Sequence, residues 1–392
     1  MSDTAFKEFE KEEPQMFGHP KGLFYLFFAE LWERFSFYGM RALLTLYMVD
    51  KIFAAIAERD AASAVVYASY GSLVYASTVI GGRISDSILG MRNSIFLGGI
   101  LMAIGHFVLA IESDIAFFLA LAFIVVGNGF FKPNISTFVG ELYKDEDPRK
   151  EAGFSIFYMG INIGGFAAPL LCAWLGNTYG WHYGFALAGF GMLLGLIVFW
   201  NGIKKNVFGD KGHAPSQEVI ERKVIGIKQG ILVPILAILA VPLIAFLISS
   251  YKSVFAEGEF MGGQNIVNII FNVLLVVIIG YLAYVMYKSK PDERKKIFVA
   301  ILITVFMSMF WGFHELSGSV ITLFAARNVN LWLVDAAGTN ALNSMFIILL
   351  SIPMSILWVY LTKKKMNPRT PYKFGLGLVF AGISFYVLSI SS

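Results

Sequence analysis

Six ionisable side chains sit in apolar surroundings in this sequence. Glu30, Glu33, Arg34 and Arg41 fall within twelve residues of AELWERFSFYGMRALLTLYM, residues 29–48; Lys132 lies in GNGFFKPNIS and Glu315 in MFWGFHELSGSVITLF. Acids and bases held together away from water can hold an ion of opposite sign or pass a proton, because burial raises a carboxylate's pKa and a neighbouring cation lowers it. At 100° per residue, positions 30, 33, 34, 38 and 41 share one helix face, so Tyr38 joins the charges on a single stripe. Each charge costs about 2.5–3.5 kcal/mol at the centre of a membrane helix, roughly 15–20 kcal/mol for six left unpaired against lipid. They must therefore pair or line a wet cavity. A cluster that only glues helices together is the competing reading.

Other residues extend the pattern. Pro133 follows Lys132, which predicts a bend or opening of that helix beside a buried cation, an anion grip. The alternative is a lysine reaching the membrane interface. Trp311 and Glu315 are four apart and share a face, as do Tyr158 and Asn162 of FYMGINIGG; the latter pair also suits interhelical packing. His314 and His106 are expected to be packed, neutral histidines. The stretch GGRISDSILGMRN puts Gly82, Asp86, Gly90 and Arg92 in a G-x3-D-x3-G-x-R pattern, which reads as a gating latch in which Asp86 caps a helix end and pairs with a base across the inner face.

Helices long enough to span a membrane must carry these groups. Of 392 residues, 57% are hydrophobic and 15% charged, and the mean hydropathy is +0.67, well above soluble domains. Eleven apolar runs are long enough to cross a bilayer: 22–49, 63–84, 93–111, 115–139, 152–175, 182–203, 229–250, 264–287, 296–325, 340–361 and 372–390. With the N-terminus in the cytoplasm, 21 basic residues fall in inside loops, and only Lys51, Arg59, Lys252 and Arg327 fall outside, a strong positive-inside bias. The first run then leads outward, with Glu30 and Glu33 nearer the cytoplasm and Arg41 beyond them. The expected organisation is a cytoplasmic tail (1–21), a six-helix bundle (22–203), a plain cytoplasmic linker (204–228), two further helices (229–287) and a second, partial bundle (288–392). The tail lacks the parts of a cleaved signal peptide.

Several functions are disfavoured. The basic residues lie in short clusters between apolar runs, which argues topology and not nucleic acid. One cysteine, Cys172, excludes an internal disulfide and a cysteine-based metal site. No nucleophile, base and orienting acid stand at recognisable spacing, and no metal or phosphate-loop motif appears. No enzyme activity, cofactor or metal is expected.

Three motifs together resemble the proton-dependent oligopeptide transporters (POT/PTR), a branch of the major facilitator superfamily. E-x-x-E-R-F-x-x-Y-G stands as ELWERFSFYG, F-Y-x-x-I-N-x-G as FYMGINIG, and the aromatic-Glu-Gly-Ser pattern of core helix seven as FWGFHELSGS. The likeness runs from about Phe24 to Tyr386. It implies an all-α polytopic membrane protein of the major facilitator fold, with core helices one to nine and two inserted helices. It implies a proton-driven symporter of di- and tripeptides in the cell membrane, its partners being peptide, protons and lipid. Arg34, Arg41 and Lys132 resemble the cluster that holds the peptide carboxylate. Glu30 and Glu33, with Arg34 and Glu315, resemble the proton-coupling set. Tyr38, Tyr75, Tyr158, Asn162, Trp311 and Asn343 resemble peptide contacts, Tyr75 being placed by its eleven-residue distance from Asp86. Glu315 resembles a gating partner of Lys132 across the bundles. Where mammalian members carry a histidine on the second helix, this sequence has Ala68, so protonation is expected to rest on carboxylates. Core helices ten to twelve, with the glutamate that pairs with the peptide amine, are expected to be absent. Alternatives are a facilitator for another small anion such as nitrate, or a non-transporting membrane protein or fragment.

Overall fold

The computed structural model describes residues 15–251 and 265–390; the tail before Gln15, Lys252 of the expected outside bases, residues 253–264 and residues 391–392 lie outside that range. A hairpin of β1 (Gln15–Met16) and β2 (His19–Pro20) leads into α1 (Lys21–Tyr47), which ends in a π-helical turn over Met48–Ile52. Then come α2 (Arg59–Ile84), a π-helical turn (Ser85–Leu89), α3 (Gly90–Leu109), α4 (Asp114–Glu141), α5 (Lys150–Tyr179) and α6 (Trp181–Lys204). The connector holds a short α7 (Gln217–Glu221) and the β3–β4 hairpin (Lys223–Val224, Ile227–Lys228). The remainder comprises α8 (Gln229–Ser249), α9 (Ile266–Lys288), α10 (Pro291–Glu315), α11 (Val320–Asn328), α12 (Ala341–Lys363) and α13 (Thr370–Ile390). Among the described residues, nine stretches are helical, long and apolar enough to cross a membrane. One of them, Arg59–Leu109, contains both α2 and α3, and α1 is not among the nine.

Helix α1 packs against both α5 and α6, and α4 against α2 and α3. Small residues set these distances, as in membrane bundles generally. A Cβ on Gly98 of α3 would lie 2.5 Å from the Gly127 carbonyl oxygen of α4. Three buried clusters fill the first six helices. The first surrounds Tyr47, Phe117 and Phe185; the second surrounds Leu26, Phe138 and Phe199; the third joins Phe130 of α4 to α8. Helix α8 docks through Val233, Ala237, Val241 and Ala245, one residue per turn on one face. Of α9 only Val267 is buried, and α10 buries nothing. Their exposed Ile, Leu and Phe side chains are the surface expected against lipid.

The structure corrects three expectations. The run 296–325 is not one helix: α10 stops at Glu315, a 3-10 turn covers Leu316–Gly318, and α11 restarts at Val320. The sequence Ser-Gly-Ser permits the break, and partners across the interface stabilise it by satisfying the freed backbone groups. Thr45 donates to the Gly318 carbonyl at 2.8 Å, and Arg41 Nη2 to that of Glu315 at 3.4 Å. A Cβ on Gly318 would lie 2.5 Å from Arg41 Nε and closer still to the Tyr67 hydroxyl, so a larger residue there would have to displace those two side-chain ends. Conversely, of the bend or opening expected at Pro133, no opening occurs: α4 continues as α-helix through it.

The connector is also more than a linker. Phe208 is 1% exposed and packs on Phe138 and Phe199, with ring centroids 4.9 and 5.7 Å apart. Arg92 Nη2 donates to the Gly209 carbonyl at 2.5 Å and Nε to that of Lys211 at 2.7 Å, while its backbone N–H donates to Gly212 at 2.9 Å. Residues 208–212 of the connector therefore pack against the first six helices.

Candidate functional site

The first turns of the polar stripe on α1 form a closed ion cluster. Arg34 Nη2 donates to Glu33 Oε1 at 2.7 Å, Nε bonds Glu33 Oε2, and Nε lies 3.2 Å from Glu30 Oε1. All three residues are at most 4% exposed. The guanidinium also lies over the Phe37 and Tyr38 rings, at 5.1 and 5.8 Å. Among the described residues, Glu30 Oε2 has no hydrogen-bond partner, a costly state for a buried acceptor.

Seven residues further on, about 10 Å along the helix, Arg41 makes a second network. Its Nε donates to the Tyr67 hydroxyl at 2.6 Å, and Nη2 lies 2.9 Å from Glu315 Oε2 and 3.3 Å from Ser317 Oγ. The Tyr75 hydroxyl donates to the other oxygen of Glu315 at 3.1 Å. Arg41 thus ties α1 to the break between α10 and α11. This corrects the expected partner of Glu315: among the described residues it is paired with Arg41 and not with Lys132. The Lys132 ammonium lies instead 4.9 Å from the Tyr75 ring centroid, a cation–π contact.

A cavity of about 340 Å³ opens beside this network, walled by Tyr38 and Arg41 from α1, by His314 and Ser317 at the helix break, and by Asn340 and Asn343 around the start of α12. The predicted residues divide accordingly. Tyr38, Arg41 and Asn343 line the cavity; Glu315 and Tyr75 are bonded to its arginine or to each other. Glu30, Glu33 and Arg34 form the closed cluster deeper along α1. Asn162 is buried and donates to the Tyr158 carbonyl at 2.9 Å, one turn back on α5, while Tyr158 itself is half exposed. Trp311 is half exposed and packs edge-on against His314 at 5.2 Å without lining the cavity. Asp86 is exposed, and among the described residues its predicted pairing with a base is not formed; Arg92 of the same pattern makes the cross-segment bonds. Sequence reasoning missed Tyr67, Ser317 and the wall position of His314. Tyr67 carried a signal, since it lies eight residues before Tyr75 and shares its helix face.

Among the described residues, the side-chain bonds and ion pairs that join the two halves of the chain cluster toward one end. Arg327 makes a two-pronged ion pair with Asp60, Asn177 donates to Asp335 at 2.5 Å, and Ser344 of α12 packs on Gly165 of α5. The first two lie beyond the Arg41 end of α1, and the third lies at the level of Tyr38. Among the described residues, no side-chain hydrogen bond or ion pair joins 15–204 to 291–390 at the opposite end. There the side chains of the loop after α4 hold the β1–β2 hairpin. Arg149 pairs with Asp147 at 2.8 Å and donates to the Gly18 carbonyl at 3.0 Å, and the Tyr143 hydroxyl lies 2.8 Å from His19 Nδ1. Burial, and then the Arg149 charge, lower the His19 pKa below its ordinary value.

Comparison with known proteins gives this arrangement its relatives. The POT family profile matches residues 92–392. The chain is 39% identical over 389 residues to the protein named Uncharacterized transporter YclF of Bacillus subtilis (strain 168), covering 96% of this chain and 75% of that one. It is 35% identical to a di-/tripeptide transporter of Lactococcus lactis subsp. cremoris, over 97% of this chain and 77% of that protein. A crystal structure of a peptide transporter POT in complex with sulfate superposes with a TM-score of 0.76 at 36% identity, over 97% of this chain and 77% of the other. On sequence and fold alike, this chain is a multi-pass helical membrane protein that belongs to the POT family.

Proposed function

We propose that the chain takes up di- and tripeptides together with protons by alternating access across the cell membrane. The observation that carries this reading is the pairing of Glu315 with Arg41, a residue of the cavity wall. An arginine whose partner is a titratable acid is a switchable carboxylate site. With Glu315 ionised the arginine is occupied; with Glu315 protonated its guanidinium is released for the peptide carboxylate, which it can take bidentately. Tyr38 and Asn343 supply further contacts to the peptide. Glu30, Glu33 and Arg34 form the proton-coupling cluster on the inner part of α1, with Lys132 as a second cation able to draw on either acid. A relative named for di- and tripeptides, 35% identical over nearly the whole chain, supports the substrate class.

On this reading α1 crosses the membrane although its charges keep it from looking apolar, which gives eleven crossings and a cytoplasmic N-terminus. Residues 22–203 form the first bundle, 229–287 the two inserted helices and 288–392 part of the second bundle. The end joined by Asp60–Arg327 and Asn177–Asp335 then faces outward, and the halves part toward the cytoplasm. Inward movement of each proton charge contributes about 2.3 kcal/mol per 100 mV, and the halves rock about the cavity. No residue is assigned a catalytic role.

The test is uptake of labelled dialanine into proteoliposomes under an imposed inward proton gradient. Accumulation is expected, with Glu33→Gln blocking uphill uptake and sparing exchange. Accumulation that ignores the gradient rules out proton coupling, and binding of nitrate without dialanine replaces the substrate. Binding of neither leaves a membrane protein of another role.

A further inference from the structure

The imidazole of His314 has no part in the scheme above, yet it forms part of the cavity wall beside Arg41 and Tyr38. Its ring is held in place: it stacks on Phe310 at 6.1 Å with 12° between planes, and meets Trp311 edge-on at 5.2 Å. The charges around it are accounted for. From α1 come Arg41 and Tyr38. From α2 come Tyr67 and Tyr75, bonded to Arg41 and Glu315 respectively. The adjacent acid, Glu315, is paired with Arg41. The α12 side of the cavity offers the neutral Asn343 and Ser344, and α13 offers Leu388. Arg41 can receive one carboxylate when Glu315 lets go. A peptide with an acidic side chain brings two, and His314 is the remaining wall residue able to become a cation.

We propose that His314 is a specificity-determining residue, which takes a proton from the medium when a peptide with an acidic side chain binds and pairs as imidazolium with that second carboxylate. The proposal rests on the peptide reading above. Histidine is the side chain whose charge changes between pH 5 and 8, so the preference it creates is conditional. Neutral peptides meet an uncharged, polarisable wall, and acidic peptides gain an ion pair as the pH falls.

Dissociation constants for Ala-Glu, Ala-Gln and Ala-Ala, measured by calorimetry on the protein in nanodiscs at pH 7.5 and 5.5, test this. The affinity ratio of Ala-Glu to Ala-Gln is expected to rise by about five- to tenfold on acidification in the unaltered protein, and to stay flat in His314→Gln and His314→Asn. The ligand's own side chain stays largely ionised at pH 5.5, since its pKa is about 4.3. In the unaltered protein, calorimetry in buffers of different ionisation enthalpy at pH 6.5 should show extra proton uptake with Ala-Glu over Ala-Gln. An equal rise in the variants, or no extra proton uptake, overturns the assignment even if Ala-Ala binds. Failure of all three peptides to bind overturns the peptide reading itself, and this inference with it.

Discussion

Replacing Glu315 by glutamine removes the charge that occupies Arg41 while keeping a side chain of the same shape. The pair is 2.9 Å long, with side-chain exposures of 10% for Arg41 and 33% for Glu315. Two unit charges about 4 Å apart attract by about 4 kcal/mol at an effective dielectric of 20. Solvent at the one-third-exposed carboxylate cuts that toward the surface value, and the glutamine keeps a neutral hydrogen bond from Arg41 or Tyr75. About 1–2 kcal/mol of competition for the guanidinium is therefore lost. Dialanine should bind Glu315→Gln about 5- to 30-fold more tightly than the unaltered protein at pH 7.5. Calorimetric titration of both proteins at pH 7.5 measures this. Equal affinity, or weaker binding by the variant, would refute the idea that Glu315 and the peptide compete for one arginine. A Glu315→Gln, Arg41→Lys double variant adds a geometric check, since lysine cannot reproduce the forked contact.

Two further predictions concern the end of the first bundle that carries the connector. Phe208→Ala empties a fully buried ring site between Phe138 and Phe199, which typically costs about 3–5 kcal/mol; the expected result is a lower melting temperature and new protease cleavage within 205–213, and neither change would mean that the connector is only a linker. The His19 pKa is lowered in the docked hairpin, so the undocked hairpin binds protons more readily. Docking is then fully favoured above the ordinary histidine range and weakens as the pH falls through about 6.5. Hydrogen-exchange protection of residues 15–20, corrected for the intrinsic pH dependence of amide exchange, should fall from pH 7.5 to 5.5 in the unaltered protein and not in His19→Asn; protection insensitive to His19 would assign the docking to Arg149 alone.

How much of this site the sequence reveals depends on the kind of information each feature needs. Helical phase is local, so the shared face of Glu30, Glu33, Arg34, Tyr38 and Arg41 was legible, and so was the need to turn that face from lipid. Depth across helices is not local. Lys132 and Arg41 are both plausible cations for Glu315, and only the docking of the 316–318 turn against α1 selects Arg41. The helix breaks show the same division. Pro133 removes one donor and clashes one turn back, yet a well-packed helix absorbs that loss. Gly318 and its flanking serines carry no such intrinsic prohibition, and the helix stops there because Arg41, Thr45 and Tyr67 occupy the space and satisfy the carbonyls that a continued helix would have used. The latch pattern follows suit: Arg92 finds its acceptors in backbone carbonyls 117 and 119 residues away, which no spacing rule encodes, and Asp86 faces outward. The break at Gly318 is thus built by residues of the opposite half of the chain. If those halves move apart during transport, Arg41, Thr45 and Tyr67 must leave it together, and the turn that now presents Ser317 and His314 to the cavity loses the contacts that hold it.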